Sequence, residues 1–128
     1  AEPADLVIVN LGSNDMLRGL DPNLAYANLK QIMDKLEAKN MATLLIGHLG
    51  PLNYGAGYKA DYDGAFEKLS ASYDTVFYPF FFKKLMAADG ATPNLQLYFQ
   101  ADGMHPNAAG VQAVVADMGP YVLRALQQ

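Results

Sequence analysis

Apolar residues fall in short continuous runs separated by longer stretches of helical spacing. Leu6-Val7-Ile8-Val9-Asn10-Leu11, ended by Gly12, reads as a strand buried on both faces of a parallel sheet. Gly12-Ser13-Asn14-Asp15 follows as a polar turn at its carboxyl end. Asp21 is placed to cap a helix that opens on Pro22 and runs to about Ala38, with Leu29, Ile32, Met33 and Leu36 on one face. Thr43 to Gly47 is a second buried strand, and a long loop from His48 to Tyr58 leaves its carboxyl end. A second helix is predicted from Asp61 to Tyr73, with Tyr62, Phe66, Leu69 and Tyr73 on one side. Val76 to Pro79 is a third, short strand, and Phe80-Phe81-Phe82 leads into a brief helix ending near Asp89-Gly90. Leu95 to Gln100 fits extended chain or a single helical turn equally well. The last helix spans about Ala108 to Leu126, and Gly119-Pro120 is expected to kink or split it.

Strands alternating with helices specify an α/β domain with a parallel sheet. Three strands are few for such a sheet, so part of it is expected to lie elsewhere. The 128 residues form one domain or a large part of one, and the 52% apolar and 17% charged shares describe a chain with a real core. A net charge of -4, with its basic residues scattered, argues against nucleic acid or an anionic membrane surface as partner. No apolar run approaches the roughly 20 residues of a membrane helix. Absence of cysteine excludes disulfides and thiolate metal sites and leaves the compartment open. The chain opens Ala1-Glu2-Pro3-Ala4-Asp5 with no methionine and no signal peptide, as expected of a processed, nicked or excised polypeptide.

The chemistry concentrates in Asp102-Gly103-Met104-His105-Pro106. A carboxylate three residues before an imidazole, on a tight turn or first helical turn, fixes the tautomer and stabilises the imidazolium, as a serine hydrolase requires. Taken singly, Asp102 fits a helix cap and Gly12-Ser13-Asn14-Asp15 fits an ordinary turn. Together they occupy strand ends on one rim, where α/β enzymes place their chemistry. His48, His105 and Asp102 are donor types that zinc uses, but no ligand spacing supports a metal, and His48 reads as a polar residue at a strand end on that rim. No cofactor is expected. A nucleophilic serine is missing: no G-x-S-x-G elbow occurs, and Ser70 and Ser72 read as helix-surface residues.

Gly12-Ser13-Asn14-Asp15 resembles the third sequence block, G-x-N-D, of the SGNH (GDSL-type) esterases and lipases. Asp102-Gly103-Met104-His105-Pro106 resembles their fifth block, D-x-x-H-P, and the two come in the right order. Leu17-Arg18-Gly19, the loop around Pro51-Leu52-Asn53-Tyr54-Gly55, and Phe80-Phe81 are similar to the bacterial multifunctional branch with acyl-CoA thioesterase, lysophospholipase and arylesterase activities. The resemblance covers nearly all of the chain. It implies a three-layer α/β/α, flavodoxin-like fold, here with about three parallel strands and an incomplete sheet, and a periplasmic or secreted location. It makes His105 the general base, Asp102 its orienting acid and Asn14 an oxyanion-hole donor. Gly12, Ser13 and Asp15 would shape the site, and Asn53, Tyr54 and Met104 would be substrate-pocket candidates. Ser13 fills the variable position of its block, where the family keeps no nucleophile.

Two family blocks have no counterpart: the G-D-S block with the nucleophile, and the block with an oxyanion-hole glycine. Both precede G-x-N-D in the family, and together they amount to two strand–helix units, roughly 50–70 residues. Residues 1–128 therefore read as the carboxyl-terminal portion of one hydrolase domain, with the edge of the first strand bare and prone to pair. An amino-terminal fragment or a second copy would cover that edge. The expected function is acyl ester or thioester hydrolysis of a small-molecule substrate, with the serine supplied from elsewhere. The other reading is a non-catalytic α/β binding or self-assembly module derived from such an enzyme.

Overall fold

The computed structural model describes residues 2–128. Its sheet contains β1 (Val7–Val9), β2 (Thr43–Ile46) and β3 (Val76–Tyr78), in the order β1-β2-β3. Both pairings are parallel, with Val7 opposite Thr43 and Leu44 opposite Val76. Around it run α1 (Ser13–Leu17), α2 (Pro22–Ala38), α3 (Ala56–Ser72), α4 (Leu95–Tyr98) and α5 (Ala108–Leu126), with a 3-10 turn over Lys83–Leu85.

Successive parallel strands joined in one direction with one hand of crossover place their connecting helices on the same face. Here α2 and α3 pack together, with Leu29, Met33, Tyr62, Phe66 and Leu69 buried against Val9 and Leu45. Complete burial of side chains such as Met33 and Leu69 contributes about 1.5–3 kcal/mol each. The opposite face is covered by α5, whose Ala125, Met118 and Val122 meet Leu44, Ile46 and Tyr78. Helices on both faces make the three-layer α/β/α architecture that the resemblance implies. The covering is uneven, however: α5 lies over β2 and β3. Ile8 on β1 is left 46% exposed and Leu11 51% exposed, at an edge that has no neighbouring strand among the described residues.

Several boundaries differ from the sequence expectation. The first strand keeps only Val7–Val9 of the run Leu6–Leu11, and the second and third stop one residue short, at Ile46 and Tyr78. Gly47 N–H still donates to the Tyr78 carbonyl at 2.8 Å, so hydrogen bonding outlasts the strand. The helix expected from Asp61 begins at Ala56, because the tyrosine spacing continues back through Tyr58, and the loop before it is correspondingly shorter. The polar turn at Ser13–Asp15 is the first turn of a helix. Leu95–Tyr98 takes the helical alternative, capped by the Asn94 side chain. Between Phe82 and Gly90 the only helical residues are Lys83–Leu85. The start of α2 is as expected: Asp21 Oδ1 accepts the Asn23 N–H at 2.9 Å and Pro22 takes the first helical position.

Gly119-Pro120 does not split the last helix, which continues from Ala108 to Leu126. Pro120 is on the exposed side, where the carbonyl deprived of its donor reaches water. Packing of Met118, Tyr121, Val122 and Ala125 on the sheet holds the helix together across the break. Pro120→Ala, which restores one helical hydrogen bond without touching the core, is expected to raise unfolding free energy by about 1–3 kcal/mol in urea titrations. An unchanged or lower midpoint would show that the helix is not strained there.

Candidate active site at the carboxyl rim

Because all three strands run the same way, their carboxyl ends share one rim. β1 delivers Gly12 to that rim with φ of 105°, a left-handed turn that glycine tolerates. A Cβ there would come within 3.0 Å of the Tyr62 hydroxyl. The turn feeds α1, whose backbone closes through Met16 N–H to the Gly12 carbonyl at 3.2 Å and Arg18 N–H to the Asn14 carbonyl at 3.1 Å. Asn14 is exposed, and Ser13 and Asp15 are half-buried. These residues wall a groove of about 290 Å3 with Leu11, Ala25, Asn28 and Ile32, beside the open edge of β1. A slightly larger hollow, about 340 Å3, lies at the opposite rim between Met33, Thr43, Tyr73 and Gln128 and contains none of the candidate residues.

Asp102 and His105 reach the carboxyl rim by way of α5. That helix ends at the amino end of β2, where Gln128 Oε1 accepts the Thr43 N–H at 3.2 Å. Its beginning packs on the turn that follows β3. The loop before it is fastened by a bridge between Phe99 and Pro106, by Gln100 N–H to the His105 carbonyl at 2.8 Å, and by Asn107 capping Gly110 at 2.9 Å. Within this frame Asp102 Oδ1 accepts the N–H groups of Met104 at 2.9 Å and His105 at 3.0 Å. Its Oδ2 lies 2.5 Å from His105 Nδ1. The His105 ring first, and then the two backbone N–H groups, hold the Asp102 carboxyl down at about 2. An ionised Asp102 keeps the proton on Nδ1 and leaves Nε2 as the acceptor. The His105 side chain is 68% exposed and that of Asp102 38%, so the pair faces open solvent. Met104 beside them is also exposed.

The other candidates lie on the loop between β2 and α3. Asn53 is exposed in a turn, and Tyr54 is bound to the end of α1, its hydroxyl donating to the Leu17 carbonyl at 3.0 Å. The loop is tied to α3 by Asp63, which accepts the Gly50 N–H at 2.6 Å and pairs with Lys59 at 2.7 Å. His48 is on the rim but only 6% exposed. Its Nε2 lies 2.8 Å from Asn10 Oδ1, and its ring meets Phe66 edge-on at 5.7 Å. Among the described residues no three His, Cys, Asp or Glu side chains gather as a metal would need. Sequence reasoning assigned no site role to Tyr58 or Tyr62; the repeated four-residue spacing from Tyr54 was the available signal.

The GDSL-like Lipase/Acylhydrolase family matches residues 1–113. This chain belongs to that family. Among GDSL-like relatives it is 33% identical over 111 residues to thioesterase 1/protease 1/lysophospholipase L1 of Escherichia coli (strain K12), covering 87% of this chain and 50% of that protein. Esterase TesA of Pseudomonas aeruginosa is 31% identical over 119 residues, covering 93% of this chain and 56% of the esterase. The chain thus spans about half the length of these GDSL-like proteins. The crystal structure of TesA superposes with a TM-score of 0.80 at 30% identity, over 94% of this chain and 63% of the other. The psychrotrophic esterase EstA from Pseudoalteromonas sp., inhibited by monoethylphosphonate, gives 0.81 at 26% identity, over 97% and 64%. AlinE4, an SGNH-hydrolase family esterase, gives 0.68 at 38% identity, over 98% and 62%.

Burial of His48 lowers its pKa from 6.5 to about 4. Between those values the unfolded chain takes up a proton that the folded chain refuses. Stability is therefore full above pH 6.5 and falls as the pH drops toward 4, by about 3 kcal/mol at the low end. Urea unfolding at pH 7 and pH 4 checks this: His48→Gln should remove most of that difference, and an identical pH dependence in the variant would exclude His48 as its source.

Proposed function

We propose that residues 1–128 are the carboxyl-terminal portion of a Ser-His-Asp ester or thioester hydrolase, supplying its base, its orienting acid and one oxyanion donor. The attacking serine belongs to residues outside this stretch, in keeping with a chain that spans about half of its relatives. The observation carrying the reading is Asp102: two backbone N–H groups pin one oxygen, and the other meets His105 Nδ1 at 2.5 Å. Asp89 is pinned by two backbone N–H groups in the same way in a surface turn. What supports the reading is the second oxygen of Asp102, which meets an imidazole as the orienting acid of a general base would.

In the proposed reaction His105 Nε2 takes the serine proton as Oγ attacks the acyl carbonyl carbon. The carbonyl oxygen becomes an oxyanion that accepts from the Asn14 side-chain amide, a contact worth about 3–4 kcal/mol in a preorganised site. Asp102 stabilises the imidazolium, which then protonates the departing alcohol or thiol. Water, deprotonated by His105, repeats the sequence on the acyl-serine and releases the acid. Small acyl esters and thioesters are the substrate class, in line with the esterase and thioesterase names of the relatives. Periplasmic or secreted placement belongs to the same proposal and rests on the resemblance to the bacterial multifunctional branch. The bare β1 edge, with Ile8 and Leu11 exposed, is where the serine-bearing segment or a second copy would pair.

A fluorophosphonate, the reagent class nearest the phosphonate that inhibits EstA, tests the reading together with intact mass of every polypeptide present. Label on a serine outside residues 1–128 is the expected result; label on Ser13 would overturn the assignment. Residues 1–128 alone should give little or no turnover of a short-chain p-nitrophenyl ester. With the serine segment present, His105→Ala should abolish nearly all turnover and Asn14→Ala should lower kcat about 100–1,000-fold. Absence of label on any chain, with no turnover, would favour a non-catalytic binding or self-assembly module instead.

A further inference from the structure

A five-residue helix has little stability of its own, because nucleation fixes several residues for each hydrogen bond gained. α1 is such a helix, and it carries Asn14. Three tyrosines four residues apart supply what it lacks. Tyr54, in the turn before α3, and Tyr58 and Tyr62, in its first turns, stand in one column, their rings 5.1 and 6.0 Å apart. Each hydroxyl donates to a backbone carbonyl of the segment around α1. Tyr62 reaches Gly12, at its entrance; Tyr54 reaches Leu17, its last residue, at 3.0 Å; Tyr58 reaches Leu20 beyond it at 2.7 Å. Gly19 lies against this column with φ of 67°, where a Cβ would come within 2.7 Å of the Tyr54 ring. Among the described residues no other side chain donates to the carbonyls of residues 12–20.

We propose that Tyr54, Tyr58 and Tyr62 are positioning residues that act through Asn14, fixing α1 so that its amide meets the oxyanion without reorganising. This rests on reading Asn14 as an oxyanion donor. An aromatic surface that merely lined an acyl pocket would have no reason to spend all three hydroxyls on one backbone segment. Burial leaves Tyr62 harder to ionise than usual, so its hydroxyl remains a donor throughout the working pH range.

Tyr58→Phe and Tyr54→Phe keep the rings and remove one bond each. Hydrogen exchange at the Arg18, Gly19 and Leu20 amides, all bonded within this segment, should speed up about 3- to 10-fold in each variant. Amides of β1, β2 and β3 should be unaffected. With the serine-bearing segment present, kcat should fall by a similar factor at unchanged KM. Adding Tyr58→Phe to Asn14→Ala should cost nothing further, because the tyrosine acts only through that amide. Unchanged exchange in residues 18–20, or a Tyr58→Phe loss equally large in the Asn14→Ala background, would overturn the proposal and leave the hydrolase reading standing. Asn14→Ala with an unchanged rate would overturn the oxyanion role and this proposal together.

Discussion

Parallel pairing of β1, β2 and β3 is the constraint from which the rest follows. It forces every strand to finish at the same rim, so whatever leaves the sheet there is gathered along one line. Gly12 to Asp15 leave β1, His48 leaves β2, and the aromatic turn beneath α5 leaves β3. The return path of α5, fixed by Gln128 at the start of β2, brings the loop bearing Asp102 and His105 back to that rim from the other face. The Gly12–Asp15 turn and the loop bearing Asp102 and His105, far apart in the chain, are thereby both carried toward that rim.

The two histidines show how one residue type is given different work by its surroundings. His48 is enclosed by Asn10, Phe66 and Phe81 and is kept neutral, fit to hold two strand ends together. His105 stands in solvent with the Asp102 carboxylate on Nδ1, the arrangement from which its proposed role as general base is argued. Burial favours the uncharged ring in the first case; in the second the ring stands in solvent against the Asp102 carboxylate. A catalytic base needs the second arrangement, and a brace needs the first.

Sheet strands, the capped start of α2, and the pairing of Asp102 with His105 were legible because each is local. Capping depends on Asp21 and Pro22 alone, and a carboxylate and an imidazole three residues apart meet once the segment between them makes a tight turn. The misreadings share another cause. Ser13–Leu17 has turn composition yet is helical, and the carbonyls that accept from Tyr62, Tyr54 and Tyr58, at Gly12 before it, Leu17 at its end and Leu20 beyond it, belong to residues some 37 to 50 positions from their donors. Gly119-Pro120 reads as a break, but the side chains on either side are packed against the sheet and carry α5 through it.

By itself the sequence determined the α/β order, the family, and the internal geometry of the Asp102–His105 turn, all of which rest on short-range spacing and hydrophobic periodicity. Only the tertiary structure decided that Asn14 sits on a helix clamped by a tyrosine column, that His48 is buried and neutral, and that α5 covers β2 and β3 but leaves Ile8 bare. These outcomes depend on which surfaces meet across the fold, and no window along the chain contains both partners of such a contact.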